Sequence, residues 1–144
     1  QYKKMKSNDY KYDDIHKGMS FAFKKMISEK DVMDFAKLTG DYNPLHCDED
    51  YAKKSTMGSR IAHGMLLSSL FSTLLGMHCP GKRNLYLTQN LNFHNPLKLN
   101  EMVTVQGEIL NKTDSLKMLE IKTTILDQNG KIIVDGIAKV KVLE

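Results

Sequence analysis

The stretch Gly64-Met65-Leu66-Leu67-Ser68-Ser69-Leu70-Phe71-Ser72-Thr73-Leu74-Leu75-Gly76 decides how this chain folds. Its apolar residues fall on nearly every side of a helical wheel rather than along one stripe, as in a helix buried over most of its surface. Its few polar side chains then need hydrogen-bond partners. Such a helix cannot lie at the margin of a domain, so the rest of the chain has to wrap it.

Working outward, the apolar period changes to two from Asn84 onward, in segments near 84–94, 101–112, 116–127 and 131–143 rich in Val, Ile, Leu and Thr. These read as strands, and Asn129-Gly130 marks a hairpin between the last two. One buried helix followed by a run of strands predicts an α+β layout whose antiparallel sheet covers the helix. On the other side, Phe21 to Ile27 reads as a short strand. Ser28 and Asp31 form a start signal, Val32, Phe35, Ala36 and Thr39 follow at helical spacing, and Gly40 supplies the stop, which predicts a helix near 29–39. Asp41 to His46 is expected to be a shaped loop, because Pro44 lacks an N–H and pushes Asn43 toward extended geometry. A short helical turn is expected from Glu49 to Lys54.

Residues 1–14 lack apolar periodicity and are expected to form a polar arm, loosely packed or disordered at its beginning, ahead of a single domain over 15–144. The chain has 144 residues, and a domain near this size buries roughly 68–70% of its unfolded surface. With 41% apolar and 26% charged residues, its composition is that of a folded protein. The formal charge of +4 comes from interspersed signs apart from Lys3, Lys4, Lys6 and Lys11 in the arm, so no basic face for nucleic acid is expected. Cys47 and Cys79 form no paired or metal-spaced cluster. No apolar run reaches the ~18–20 residues of a membrane span, and the expectation is a cytoplasmic protein without a membrane partner.

Two segments carry a more specific signal: Leu38-Thr39-Gly40-Asp41-Tyr42-Asn43-Pro44-Leu45-His46, and downstream Ala62-His63-Gly64-Met65-Leu66. Together, over about residues 20–143, they resemble the signature of MaoC-like, (R)-specific enoyl-CoA hydratases. The resemblance implies a hot-dog fold, a curved antiparallel sheet around the central helix, in subunits that pair as a homodimer or dimer of dimers. It implies reversible hydration of a trans-2-enoyl-CoA thioester to the (R)-3-hydroxyacyl-CoA, with no metal and no cofactor beyond the coenzyme A of the substrate. It places the catalytic pair on Asp41 and His46, the backbone amide that meets the thioester carbonyl on Gly64, and a substrate-site serine near the catalytic aspartate on Ser72.

The chemistry asks for these residue types. Hydration needs a base for water, an acid at the α-carbon and donors for charge on the thioester oxygen, and a carboxylate and an imidazole can share the proton work. The first N–H groups of a helix lack internal partners and favour negative charge, and glycine lets a ligand approach them. The plainer readings are a turn aspartate after a helix stop, an ordinary Asn-Pro turn, and a helix serine bonded to its own preceding turn. His63 is expected to be structural and Cys47 a small buried hydrophobe, while Met65, Leu66, Leu70, Phe71 and Leu74 are expected in the core. His16, His78 and His94 have no motif context. Lys53, Lys54, Arg60, Lys82 and Arg83 are within sequence reach of CoA phosphates, but a solvated face is the simpler expectation for each. Two other functions share the fold: a thioesterase, which would release free thiol, and a non-catalytic acyl-binding module, which has no use for the Asp41–His46 pair.

Overall fold

The computed structural model describes residues 5–144; the disorder expected at the very start of the arm falls on residues outside that range. Strand β1 (Ser20–Ile27) leads into helix α1 (Glu29–Thr39), and the short helices α2 (Pro44–Cys47) and α3 (Glu49–Lys54) follow. Helix α4 (Gly64–Thr73) comes next, then strands β2 (Asn84–Gln89), β3 (Asn92–Phe93), β4 (Glu101–Thr113), β5 (Met118–Asp127) and β6 (Ile132–Val142). The strands form one antiparallel sheet in the order β1-β4-β5-β6-β2, with β3 also pairing β6. This is the expected α+β arrangement.

Helix α4 is enclosed as its composition requires. Leu67, Leu70, Phe71 and Leu74 pack with Ile27 and Val32 and with Val103, Val105, Ile125, Ile133 and Val134 of the sheet. The following turn carries Leu75 into a second cluster with Ile109, Leu119, Ile121, Ala138 and Val140. Phe71 is fully buried, and truncating a side chain so placed to Ala typically costs about 3–5 kcal/mol. Met65, expected in the core, is instead 58% exposed, because it lies in the first turn, beyond the sheet. The helix also ends differently from expectation: Leu74–His78 widens into a π turn, closed by the Cys79 N–H donating to the Leu74 carbonyl at 3.2 Å.

Local signals set the elements around the site. The Ser28 hydroxyl accepts from the Asp31 N–H at 3.1 Å while the Asp31 carboxylate accepts from the Ser28 N–H at 3.0 Å, and Gly40 closes α1 at φ +82°. The Asp41–His46 segment is not wholly a loop. Asn43 is the N-cap of α2, its side chain accepting from the Leu45 N–H at 2.9 Å, and Pro44 occupies the first helical position, where its missing N–H costs nothing.

The arm is not loose throughout. Asp9 bridges to Gly81, Tyr12 is 3% exposed, and the Tyr12 hydroxyl donates to Asp114 at 2.6 Å. The Lys112 ammonium lies 4.1 Å from the centre of the Tyr12 ring. An aromatic residue with these partners anchors the arm where composition alone reads as polar coil. No helix among the described residues is long and apolar enough to cross a membrane.

Candidate active site

Three functional groups that are separated in sequence meet between α1, α2 and the start of α4. Ligand-type atoms of Asp41, His46 and His63 all lie within 4.8 Å of one another. Asp41 follows the glycine stop of α1, and its carboxylate is exposed. Its N–H donates to the Thr39 hydroxyl at 3.2 Å, and its Oδ1 accepts from the Asn43 N–H at 3.2 Å. The carboxylate is therefore held by its own turn, with oxygen capacity left over.

His46 sits on the single turn of α2, and its Nδ1 lies 2.7 Å from the Ile61 carbonyl. A carbonyl only accepts, so Nδ1 carries a proton and Nε2 is the nitrogen left to face the site. The same logic applies to His63, whose Nε2 lies 3.0 Å from the main-chain carbonyl of Asp41. His63 is 2% exposed, and its ring lies against His46 with centroids 4.0 Å apart at a tilt of 31° and meets Phe35 at 4.9 Å. Burial, opposed by the Asp41 carbonyl and reinforced by His46 nearby, lowers its pKa below the ordinary 6.5.

Gly64 opens α4, and no side chain caps that end, leaving the N–H groups of Gly64, Met65 and Leu66 without intrahelical partners. A cavity of about 490 Å³ is lined by His46 and Gly64 together with Met65, Phe93, His94 and Leu97. Asp41 does not line it. The ring of Phe93 lies over Gly64, such that a Cβ there would meet its carbons at 2.7 Å. A cavity of similar volume, about 500 Å³, opens among Ser20, Gln106, Glu108 and Lys122 and contains none of the candidate residues.

Of the four residues singled out by sequence, the structure thus groups Asp41, His46 and Gly64 but not Ser72. Ser72 is exposed on α4, two turns or about 12 Å of axial rise past Gly64, and among the described residues no hydrogen bond joins it to Asp41. The back-bonding expected of a helix serine is made by its neighbours: Ser68 donates to the Gly64 carbonyl at 2.8 Å and Ser69 to Leu66 at 2.5 Å.

Sequence reasoning undervalued His63, which touches both members of the pair, and gave no sign of Phe93 and His94. His63 had one signal, its position directly before the candidate donor Gly64. Cys47 is half-buried rather than buried, since it ends a one-turn helix at the surface. Arg60, expected on a solvated face, is instead 8% exposed.

The Asp41, His46 and His63 group is close enough to raise the question of a metal. The two imidazoles lie with centroids 4.0 Å apart, tilted by 31°, and Nδ1 of His46 and Nε2 of His63 each face a main-chain carbonyl. The remaining nitrogen of His63, Nδ1, is enclosed without a partner. One nitrogen of each imidazole is thus already committed to a main-chain carbonyl.

Residues 13–130 match the family model described as the MaoC-like domain. The chain is 37% identical over 131 residues to an (R)-specific enoyl-CoA hydratase of Rhodospirillum rubrum, covering 91% of this chain and 90% of that one. It is 35% identical over 131 residues to a 3-hydroxybutyryl-CoA dehydratase of Methylorubrum extorquens, covering 91% and 83%. Its fold superposes on the unliganded R-hydratase of Pseudomonas aeruginosa with a TM-score of 0.91 at 34% identity, covering 96% of this chain and 88% of that one. The wrapped helix is the hot-dog architecture that the sequence implied, and the chain belongs to the MaoC-like domain family.

Proposed function

We propose that this chain catalyses the reversible hydration of a trans-2-enoyl-CoA to the (R)-3-hydroxyacyl-CoA, with Asp41 and His46 handling the water and the Gly64 N–H holding the thioester oxygen. The observation that carries the reading is the meeting of a carboxylate with an imidazole whose Nδ1 is held by a carbonyl, leaving Nε2 for the water, beside a cavity whose wall includes an uncapped helix start. The relatives named as hydratase and dehydratase support the reaction class and the (R) face.

In this reading His46 acts on the water through Nε2, and Asp41 through a carboxylate oxygen. A water between them donates one O–H to each. As its oxygen attacks the β-carbon, the π pair moves toward the thioester, and the N–H of Gly64 meets the charge arriving on the carbonyl oxygen, helped by the helix dipole. The proton taken by one of the pair returns to the α-carbon. One O–H bond breaks while one C–O and one C–H bond form, and dehydration runs the same steps backward. No electron or phosphoryl transfer occurs, so the side chains and the helix end suffice without a further cofactor.

Incubation with crotonyl-CoA tests this. The conjugated enoyl absorbance should fall without release of thiol, and chiral analysis should find (R)-3-hydroxybutyryl-CoA. Thiol release would make the protein a thioesterase, the (S) product would refute the stereochemistry, and binding without turnover would leave an acyl-binding module.

A further inference from the structure

We propose that Arg60 is a positioning residue for the hydration, acting through His46; this rests on the reading of His46 as catalytic. Arg60 is 8% exposed, and its guanidinium divides its donors among three residues on two elements, α1 and α2. Nε donates to the main-chain carbonyl of His46 at 2.7 Å, Nη1 pairs with the Glu29 carboxylate of α1 at 2.8 Å, and Nη2 lies 3.5 Å from the Met33 sulfur. The next residue completes the grip. The Ile61 N–H donates to the Leu45 carbonyl at 3.3 Å, and the Ile61 carbonyl accepts from Nδ1 of the His46 ring at 2.7 Å.

Helix α2 is a single turn of four residues, which nucleation cost keeps from holding itself together. Its last carbonyls lack intrahelical donors. Arg60 and Ile61 satisfy those of His46 and Leu45 from outside while fixing the ring by its other end, so main chain and side chain of His46 are set by one short segment. That segment is itself secured, the Ala62 N–H donating to the Leu97 carbonyl at 2.8 Å. A buried guanidinium carries a desolvation cost that an apolar side chain would avoid. The Glu29 carboxylate is 64% exposed, so this ion pair offsets little of that cost. What only a planar fork supplies is simultaneous reach to the α2 carbonyl and to α1. Released from Arg60, α2 shifts and carries Nε2 of His46 away from the water it shares with Asp41.

The test is a cycle of wild type, Arg60→Met, His46→Gln and the double variant on crotonyl-CoA, with His46 ring protons followed by ¹⁵N-edited NMR. Arg60→Met should lower kcat about 10- to 100-fold, the scale of a misplacement near 1 Å, with KM little changed, and the Nδ1–H resonance of His46 should be lost. In the His46→Gln background it should cost nothing more, because residues acting as a unit are non-additive. An equal loss in both backgrounds with the resonance intact, or no loss at all, would overturn the proposal. Near-native turnover of His46→Gln would overturn the catalytic reading of His46 as well. If Arg60→Met does not fold, Arg60→Lys takes its place in the cycle, with a smaller loss of kcat expected and the same two outcomes deciding.

Discussion

His63 lies against His46 with ring centroids 4.0 Å apart while its Nε2–H donates to the main-chain carbonyl of Asp41 at 3.0 Å. One buried imidazole thus spaces both members of the candidate pair. Because its pKa is held below 6.5 chiefly by burial, the folded protein binds this proton less readily than the unfolded chain. The associated stability is present above pH 6.5 and is lost as pH falls from there through the folded value. Thermal unfolding followed against pH should show wild type losing Tm below about pH 6.5 more steeply than His63→Asn; parallel curves would contradict the assignment.

Gly64 offers a second test, since its side-chain position is filled by the Phe93 ring. Gly64→Ala should cut turnover, toward the ~10²–10³-fold typical of an impaired oxyanion donor. In Gly64→Ala/Phe93→Ala the clash is relieved, so packing is restored while the added methyl still keeps the thioester from the helix end. Turnover should stay low in this pair, and its full recovery would reduce Gly64 to a packing residue.

Because the proposed hydration runs on side chains and a helix end, with one nitrogen each of His46 and His63 already facing a main-chain carbonyl, turnover is expected to be indifferent to chelators. Prolonged treatment with EDTA or dipicolinate should leave kcat unchanged. Loss of activity, restored by adding zinc, would show that the group rearranges to hold an ion.

The sheet ends at β1 on one side and at β2 and β3 on the other, and the latter edge exposes Leu85, Leu87 and Phe93. Open apolar edges of this kind are normally covered. Sedimentation should find a homodimer or a dimer of dimers, with a second copy as the cover. A strictly monomeric species of full activity at micromolar concentration would contradict this.

What the sequence made legible follows the range of the interaction responsible. Ser28, Asp31 and Gly40 act within a few residues, so α1 was readable to its ends. The hairpin at Asn129-Gly130 was equally local, with Gly130 at φ +80°. Helix α4 announced its burial through its composition, and hence the sheet around it. The contact of His63 with His46 depends instead on how α2 and α4 pack, and the burial of Arg60 on its partners in α1 and α2. Tyr12 was read as part of a polar arm because its partners Lys112 and Asp114 come from the far end of β4. Ser72 rests on the resemblance alone, since its place on α4 two turns past Gly64 has no local signature.

The central claim is that Asp41 and His46 together activate the water, and the most direct measurement is the turnover of Asp41→Asn and His46→Gln on crotonyl-CoA, beside their double variant. Each single variant should lose at least ~10²-fold in kcat while circular dichroism stays that of wild type. The double variant should lose far less than the product of the two, since both groups serve one water. Near-native turnover in either single variant, in a preparation free of host hydratase, would contradict the account.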